Sequence, residues 1–236
     1  MSANADVLPR SGLIGSPAQG KTLRQVEVVR ETNDWNPEDF AREQIRGLVQ
    51  RVFFASRSRS VRQVVFSAVG PNTDVAHICR QVGQALALET HADIAIVSRE
   101  QQAAEIVQAH PRPARSPGIK TWSTKMAINL WRVPGFGLRE SGEESGTGPY
   151  WLSCLAQLRN EFEYAVIHAP PAGISSEAAL LGQLADGIIL VLGAQSTRRA
   201  TARKIKETLE GMQSRILGTV LSERRFPVPE QIYRRL

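Results

Sequence analysis

The alternation of short apolar segments with helical segments constrains the fold of this chain more than any other feature. The candidate strands cover residues 64–69, 92–97, 128–133, 164–167, 187–192 and 216–221, and the candidate helices cover 36–55, 74–88, 100–109, 149–162, 174–184 and 196–213. Short apolar strands that alternate with helices are typical of a parallel sheet covered on both faces. We therefore predict an α/β fold of three layers, in which helices flank a mainly parallel central sheet.

Three segments interrupt this rhythm. Residues 1–25 are rich in Ser, Gly, Pro and Ala, without apolar periodicity, and such a segment has no apolar face to bury. We predict a flexible tail over 1–25 and one domain over 26–236, with a short edge strand near 26–29. Residues 110–125, with three prolines, and 134–148, with five glycines, are predicted to be mobile loops.

Composition excludes several classes of protein. No stretch approaches the roughly 18–20 apolar residues of a membrane span, and the first residues lack the apolar segment of a signal peptide. Cys79 and Cys154 lie in helical patterns and do not form a disulfide framework, which favours a reducing cytoplasm. We predict a cytoplasmic protein, held at the inner face of the membrane only through a partner.

The net charge of +6 is carried mainly by clustered arginines. Such a surface attracts phosphates, acidic partners or anionic lipid. No nucleic-acid-binding motif accompanies the charge, so we predict no specific nucleic-acid partner. A solvated basic surface is the simpler interpretation.

Two segments carry a resemblance to a known family. Residues 164–173 read YAVIHAPPAG, and residues 184–191 read LADGIILV. In this order they resemble the second half of the bacterial tyrosine kinases of capsule and exopolysaccharide synthesis, within the MinD/ParA class of P-loop ATPases. The helix around Glu43 and Arg46, the sequence Thr197-Arg198-Arg199 and the strand at 216–221 fit as well. The resemblance covers roughly residues 38–236 and implies a P-loop NTPase-like fold.

The phosphate loop that the resemblance implies has lost its usual residues. Family members carry a glycine-rich turn with a lysine after the first strand, where backbone amides and the lysine hold phosphate. The corresponding residues here are Gly70, Pro71, Asn72, Thr73, Asp74 and Val75. Either Asp74 or Val75 takes the lysine position; Asp74 would repel a triphosphate, and Pro71 has no amide proton.

The positions that hold Mg²⁺ in the family are altered too. His168 replaces the acid at the end of the strand at 164–167, and Ser98 replaces the first acid after the second strand, which leaves Glu100 alone. Mg²⁺ prefers oxygen ligands, so an imidazole is a poor replacement. We predict no catalytic residues and no ATP or Mg²⁺ cofactor.

Two other candidate sites receive a simpler interpretation. Gly15, Gly20, Lys21 and Thr22 match the Gly-x4-Gly-Lys-Thr phosphate motif, but residues 7–14 contain a proline and a glycine and make a poor preceding strand. We assign this match to the tail. A zinc site of His77, Cys79 and His168 would lack regular ligand spacing, and we predict no metal.

The resemblance implies a place in polysaccharide synthesis. The usual partner in such systems is a membrane chain-length protein or a homologous kinase, and self-association is a further expectation. We predict a non-catalytic scaffold or regulator; the alternatives are an active ATP-dependent tyrosine kinase or ATPase with an atypical phosphate site, and a basic module for anionic polymer or lipid. The candidate partner contacts are Glu43, Arg46, Arg51, Arg198 and Arg199. Tyr233, near the end where such kinases carry tyrosines, is interpreted as a packing residue.

Overall fold

The computed structural model describes residues 36–55, 60–98, 118–135 and 148–223. The strands in these ranges are β1 (Gln63–Ala68), β2 (Ile94–Ser98), β3 (Thr124–Ala127), β4 (Leu130–Pro134), β5 (Tyr164–His168), β6 (Gly187–Gly193) and β7 (Ile216–Ser222). The helices are α1 (Pro37–Val49), α2 (Val75–Glu89), α3 (Gly148–Glu161), α4 (Glu177–Leu184) and α5 (Arg199–Gly211). The predicted tail over 1–25, the 26–29 strand and the 100–109 helix lie outside the described residues.

The strands form one sheet in the order β3-β4-β2-β5-β1-β6-β7. All neighbouring pairs are parallel except β3 and β4, which form an antiparallel hairpin at one edge. The chain moves to one side of β1 when it forms β2 and to the other side when it forms β6. Strand order therefore reverses beside β1, which is where α/β sheets of this kind place their ligands.

The two faces of the sheet carry separate apolar cores. Side chains alternate across a strand, so Val64 and Phe66 of β1 belong to one core and Val65 belongs to the other. Helices α1 and α2 cover the first face, and α3, α4 and α5 cover the second. The predicted three-layer α/β fold with a mainly parallel sheet is confirmed.

The region predicted as a loop over 110–125 is partly ordered, so that prediction is wrong for its second half. A 3₁₀ turn at Ile119–Trp122 leads into β3. All four β3 side chains are exposed, because this strand forms the edge of the sheet, and an exposed strand lacks the apolar run by which buried strands were recognised. Ile128, predicted to begin a strand, lies instead in the β3–β4 turn with 89% of its surface exposed.

Several helix boundaries also differ from the sequence prediction. The first helix ends as an α-helix at Val49 and continues as a π-helical turn over Gln50–Phe54. Helices α4 and α5 begin three residues later than predicted, at Glu177 and Arg199. None of the helices in the described ranges is long and apolar enough to cross a membrane.

A polar network joins β1, β6 and α3 at the edge of the sheet where the strands begin, which we call the N-terminal edge. Asp186, only 6% exposed, accepts hydrogen bonds from the backbone amides of Arg62 and Gln63, each at 2.8 Å. The Arg159 guanidinium donates to Asp186 at 3.1 Å and to the Gln63 side chain at 3.2 Å. Gln63 in turn donates to the carbonyl of Leu155 at 2.7 Å. The residues preceding β1 and β6 are thereby fixed to α3.

Candidate functional site

The predicted site residues meet where β1, β2 and β5 end, which we call the C-terminal edge. Gly70 and the following residues of the predicted phosphate loop leave β1, Ser98 ends β2, and His168 ends β5. His168 lies in register with Phe66 of β1. These altered positions therefore lie along one edge of the sheet, and Ser98 and His168 line a common pocket there, while Glu100 lies outside the described residues.

The start of α2 uses its own backbone donors. Asp74 is the N-cap, and its Oδ1 accepts a hydrogen bond from the amide of His77 at 2.9 Å. The amide of Val75 donates to the carbonyl of Thr73 at 2.9 Å. Free amides at a helix N-terminus are what bind phosphate in a phosphate loop. Here a carboxylate of the chain itself takes one of them, as a capping residue does.

The loop after β5 is fixed against the end of β1. Ser67, which is fully buried, donates a hydrogen bond from its hydroxyl to the carbonyl of Pro170 at 2.6 Å. A side chain at Gly173 would place its Cβ 2.5 Å from the carbonyl oxygen of Val69, so only glycine allows this close approach. The family-like Pro-Pro-Ala-Gly sequence thus has a packing role that does not depend on catalysis.

A small pocket opens between the start of α2, the β3–β4 hairpin and the ends of β2 and β5. It is lined by Ala76, Cys79, Arg80, Ile96, Val97, Ser98, Met126, Arg132 and His168, and we call it the basic pocket. Two of these side chains are guanidinium groups, and none of the described lining residues is acidic. The described lining therefore has the opposite charge from a site that would hold Mg²⁺.

The zinc candidates are only partly brought together. Cys79 and His168 line the basic pocket, whereas His77 is exposed and does not. Burial, and secondarily the Asp74 carboxylate, raise the pKa of the Cys79 thiol, so this group is protonated at neutral pH. In the described ranges, no group of three or more His, Cys, Asp or Glu residues is placed to hold a metal ion.

The candidate partner contacts lie on two helices. Glu43, Arg51, Arg198 and Arg199 are all exposed. Arg46 donates a hydrogen bond from Nε to Oε1 of Glu89 at 2.7 Å, which joins α1 to α2. Arg46 is therefore paired within the fold, although 61% of its side chain remains exposed.

Three further candidates fall beyond the part of the chain that the structure describes. They are the glycine-lysine match at Gly15, Gly20, Lys21 and Thr22, the acid Glu100, and Tyr233. The interpretations given to them from the sequence stay predictions.

Sequence reasoning missed Arg80 and Arg132, the two guanidiniums of the basic pocket. A signal for Arg132 was present, since it is a charged residue inside the apolar β4 sequence LWRVP. Charged residues in buried strands are rare unless they are paired or serve a ligand. Arg80 gave no comparable signal, because polar residues are common on one face of a helix.

Comparison with known proteins extends the resemblance. No protein-family model matches the chain. A segment of 74 residues is 34% identical to the tyrosine-protein kinase CpsD of Streptococcus agalactiae serotype III (strain NEM316) and covers 31% of this chain and 32% of that kinase. A segment of 77 residues is 30% identical to the tyrosine-protein kinase YwqD of Bacillus subtilis (strain 168), covering 32% of each. The similarity in sequence spans about a third of these relatives.

Solved structures show the same fold over most of the chain. The kinase domain of VpsO superimposes with a TM-score of 0.60 at 18% identity, over 80% of this chain and 98% of that one. The MinD cell division protein of Aquifex aeolicus gives a TM-score of 0.52 at 14% identity, over 68% of this chain and 69% of that one. The predicted resemblance to bacterial tyrosine kinases, within a fold shared with MinD, is confirmed.

Proposed function

We propose that this relative of the bacterial tyrosine kinases is a non-catalytic homologue that acts as a scaffold or regulator of polysaccharide synthesis or export. The observation that carries the proposal is the cap of α2, where the Asp74 carboxylate accepts the His77 amide. A phosphate group at this place would have to displace that carboxylate and then lie beside its negative charge. Both steps oppose nucleotide binding.

The residues at the C-terminal edge do not fit ATP with Mg²⁺. His168 stands at the end of β5 where the family has an acid, and the described residues that line the basic pocket include no carboxylate. Mg²⁺ is held by oxygen ligands and is repelled by guanidinium groups such as those of Arg80 and Arg132. We therefore derive no phosphoryl-transfer step for this chain and infer that its role depends on contact.

Exposed arginines supply a surface for such contact. Arg198 and Arg199 lie at the N-terminus of α5, where the helix dipole adds to their positive charge, and Arg51 is exposed after α1. Complementary charge contributes mainly to partner choice and association rate. The partner we propose is an acidic segment of a membrane chain-length protein or of a homologous kinase.

The test compares surface variants with pocket variants, in the cells that make the protein, to decide whether function depends on partner contact or on chemistry in the pocket. We expect Arg51→Glu combined with Arg199→Glu to abolish co-purification with the chain-length protein or kinase and to lower polymer yield. Asp74→Ala and His168→Ala should leave both unchanged. Arg51 replaces Arg46 in this design, because reversing Arg46 would place two carboxylates together at Glu89 and lower stability on its own.

Arg215→Glu is the matched control, since Arg215 is also an exposed arginine but belongs to neither proposed contact surface. Calorimetry on the purified full chain should show no binding of ATP that depends on Mg²⁺. If ATP binds, Lys21→Ala tells whether the glycine-lysine match in the tail is responsible. Loss of polymer yield from a folded His168→Ala variant would overturn the scaffold proposal.

A further inference from the structure

We propose that the basic pocket binds a phosphate-type oxyanion directly, through Arg132 and Arg80 and without Mg²⁺. The inference goes beyond the proposed function, because such a site would operate whether or not the chain acts as a scaffold. It rests on the state of Arg132, on the set of donors around it and on the size of the pocket.

Among the described residues, Arg132 is a half-buried cation without a polar partner. In the described part of the chain its guanidinium makes no hydrogen bond or ion pair. Three other half-buried cations each pair with a carboxylate: Arg62 at 3.1 Å, Lys120 at 2.5 Å and Arg159 at 3.1 Å. Withdrawing a charge from water without compensation costs free energy. An anion in the pocket would supply that compensation.

Position on the sheet fixes Arg132 toward the pocket. It lies on the same face of β4 as Leu130, which belongs to the α2-side core, and its neighbour in register on β2 is Ile96. Ile96 also lines the basic pocket. Strand registry, unlike a surface loop, gives the side chain little freedom to turn away from this face.

The other polar lining residues suit an acceptor ligand. Arg80 comes from α2, and Ser98 and His168 come from the ends of β2 and β5. A guanidinium carries only donors, in a planar fork that matches the oxygens of phosphate. Among the described residues no carboxylate lines the pocket, and its two guanidiniums outnumber the Asp74 carboxylate at the start of α2.

The size of the pocket limits what enters it. Its interior holds about 20 Å³, roughly the space of a single water-sized group, and its mouth is open. One or two oxygens of an anion therefore reach Arg132 while the remainder of the ligand stays at the mouth. A free phosphate ion and the terminal phosphate of a larger molecule both meet this requirement.

The experiment is a calorimetric titration of the full chain with sodium orthophosphate and, separately, with ATP, each with and without Mg²⁺ at constant ionic strength. We expect saturable binding of orthophosphate that Mg²⁺ does not strengthen. Arg132→Gln should weaken it by about tenfold or more, since it removes charged hydrogen bonds. Arg203→Gln, an exposed arginine paired with Glu207, should bind as the unaltered chain does.

The two ligands distinguish the source of the anion. If metal-free ATP binds more tightly than orthophosphate, the phosphate enters as part of a larger molecule. If ATP binds equally or more weakly, the ligand is a free ion. Both results support the site. Absence of saturable binding of either ligand, binding that requires Mg²⁺, or an unchanged affinity in Arg132→Gln would overturn it. Arg132→Lys, which keeps the charge and loses the planar fork, replaces Arg132→Gln if the latter does not fold. None of these outcomes bears on the co-purification test of the scaffold proposal.

Discussion

The two edges of the sheet use charged residues in opposite ways. At the N-terminal edge, Asp186 and Arg159 bond to each other and to the backbone or side chains of neighbouring elements. At the C-terminal edge, Arg132 has no polar partner among the described residues, and the Asp74 carboxylate is exposed apart from its cap bond. Charges in the first region hold strands together, whereas in the second Asp74 only caps α2 and Arg132 bonds to no described residue. Changes at the two edges should therefore affect stability very differently.

The largest expected effect is that of Asp186→Ala at the N-terminal edge. The change leaves the amides of Arg62 and Gln63 without an acceptor and the Arg159 guanidinium without its carboxylate. Leaving a buried polar group unsatisfied costs about 1–3 kcal/mol. We expect the free energy of unfolding to fall by about 2–4 kcal/mol, as measured by urea denaturation.

The control for that change is Glu207→Ala, which removes an ion pair between exposed side chains of α5. Such pairs contribute little, so its effect should stay below about 1 kcal/mol. If Asp186→Ala is no more destabilising than this control, the N-terminal edge does not hold the strands and the contrast between the edges fails.

The second prediction concerns pH and the same carboxyl group. Burial raises the pKa of Asp186, but hydrogen bonds from the Arg62 and Gln63 amides and from the Arg159 guanidinium outweigh it, so the pKa in the folded chain lies below its ordinary value. Its stabilising contribution is therefore complete above about pH 4, the range of an unfolded aspartate, and is lost as the pH falls through the lower folded pKa.

This contribution is measured by urea denaturation of the unaltered chain and of Asp186→Asn at several pH values between about pH 7 and pH 3. The difference in free energy of unfolding should shrink toward the acid end. Asp93, whose pKa is also lowered, chiefly by the hydrogen bond from Lys120, titrates in both proteins and cancels from the difference. A difference that stays constant over this range would show that Asp186 does not titrate with folding.

Much of the fold could be predicted because its strands are buried on both faces. The apolar runs around β1, β2, β5, β6 and β7 predict a central parallel sheet, and the order of these runs agrees with the kinase resemblance. The edge strand β3 was not found, since the sequence Thr-Lys-Met-Ala at its four exposed positions has no apolar run. Periodicity detects burial, so an element that is not buried escapes it.

The candidate site could be predicted only where the family resemblance supplied positions. Asp74, Ser98 and His168 were identified because the family has a functional residue at each place, and all three lie at the C-terminal edge. Arg80 and Arg132 come from α2 and β4, far apart in sequence, and only tertiary packing brings them to one pocket. The cap bond from His77 to Asp74 was missed because it depends on where α2 begins.

The smallest expected effect, Arg132→Gln, gives the sharpest contrast between the edges. Arg159 and Arg132 are both half-buried arginines, but Arg159 bonds to Gln63 and Asp186, while Arg132 has no bond to lose within the described chain. Arg159→Gln should therefore lower the free energy of unfolding by about 1–2 kcal/mol. Arg132→Gln should change the free energy of unfolding by less than about 0.5 kcal/mol or raise it, because the substitution removes a charge that is half withdrawn from water. Urea denaturation without added anion measures the free energy of unfolding of both variants. A loss in Arg132→Gln as large as in Arg159→Gln would mean that Arg132 serves the fold, and a binding defect in that variant would then no longer identify an anion site.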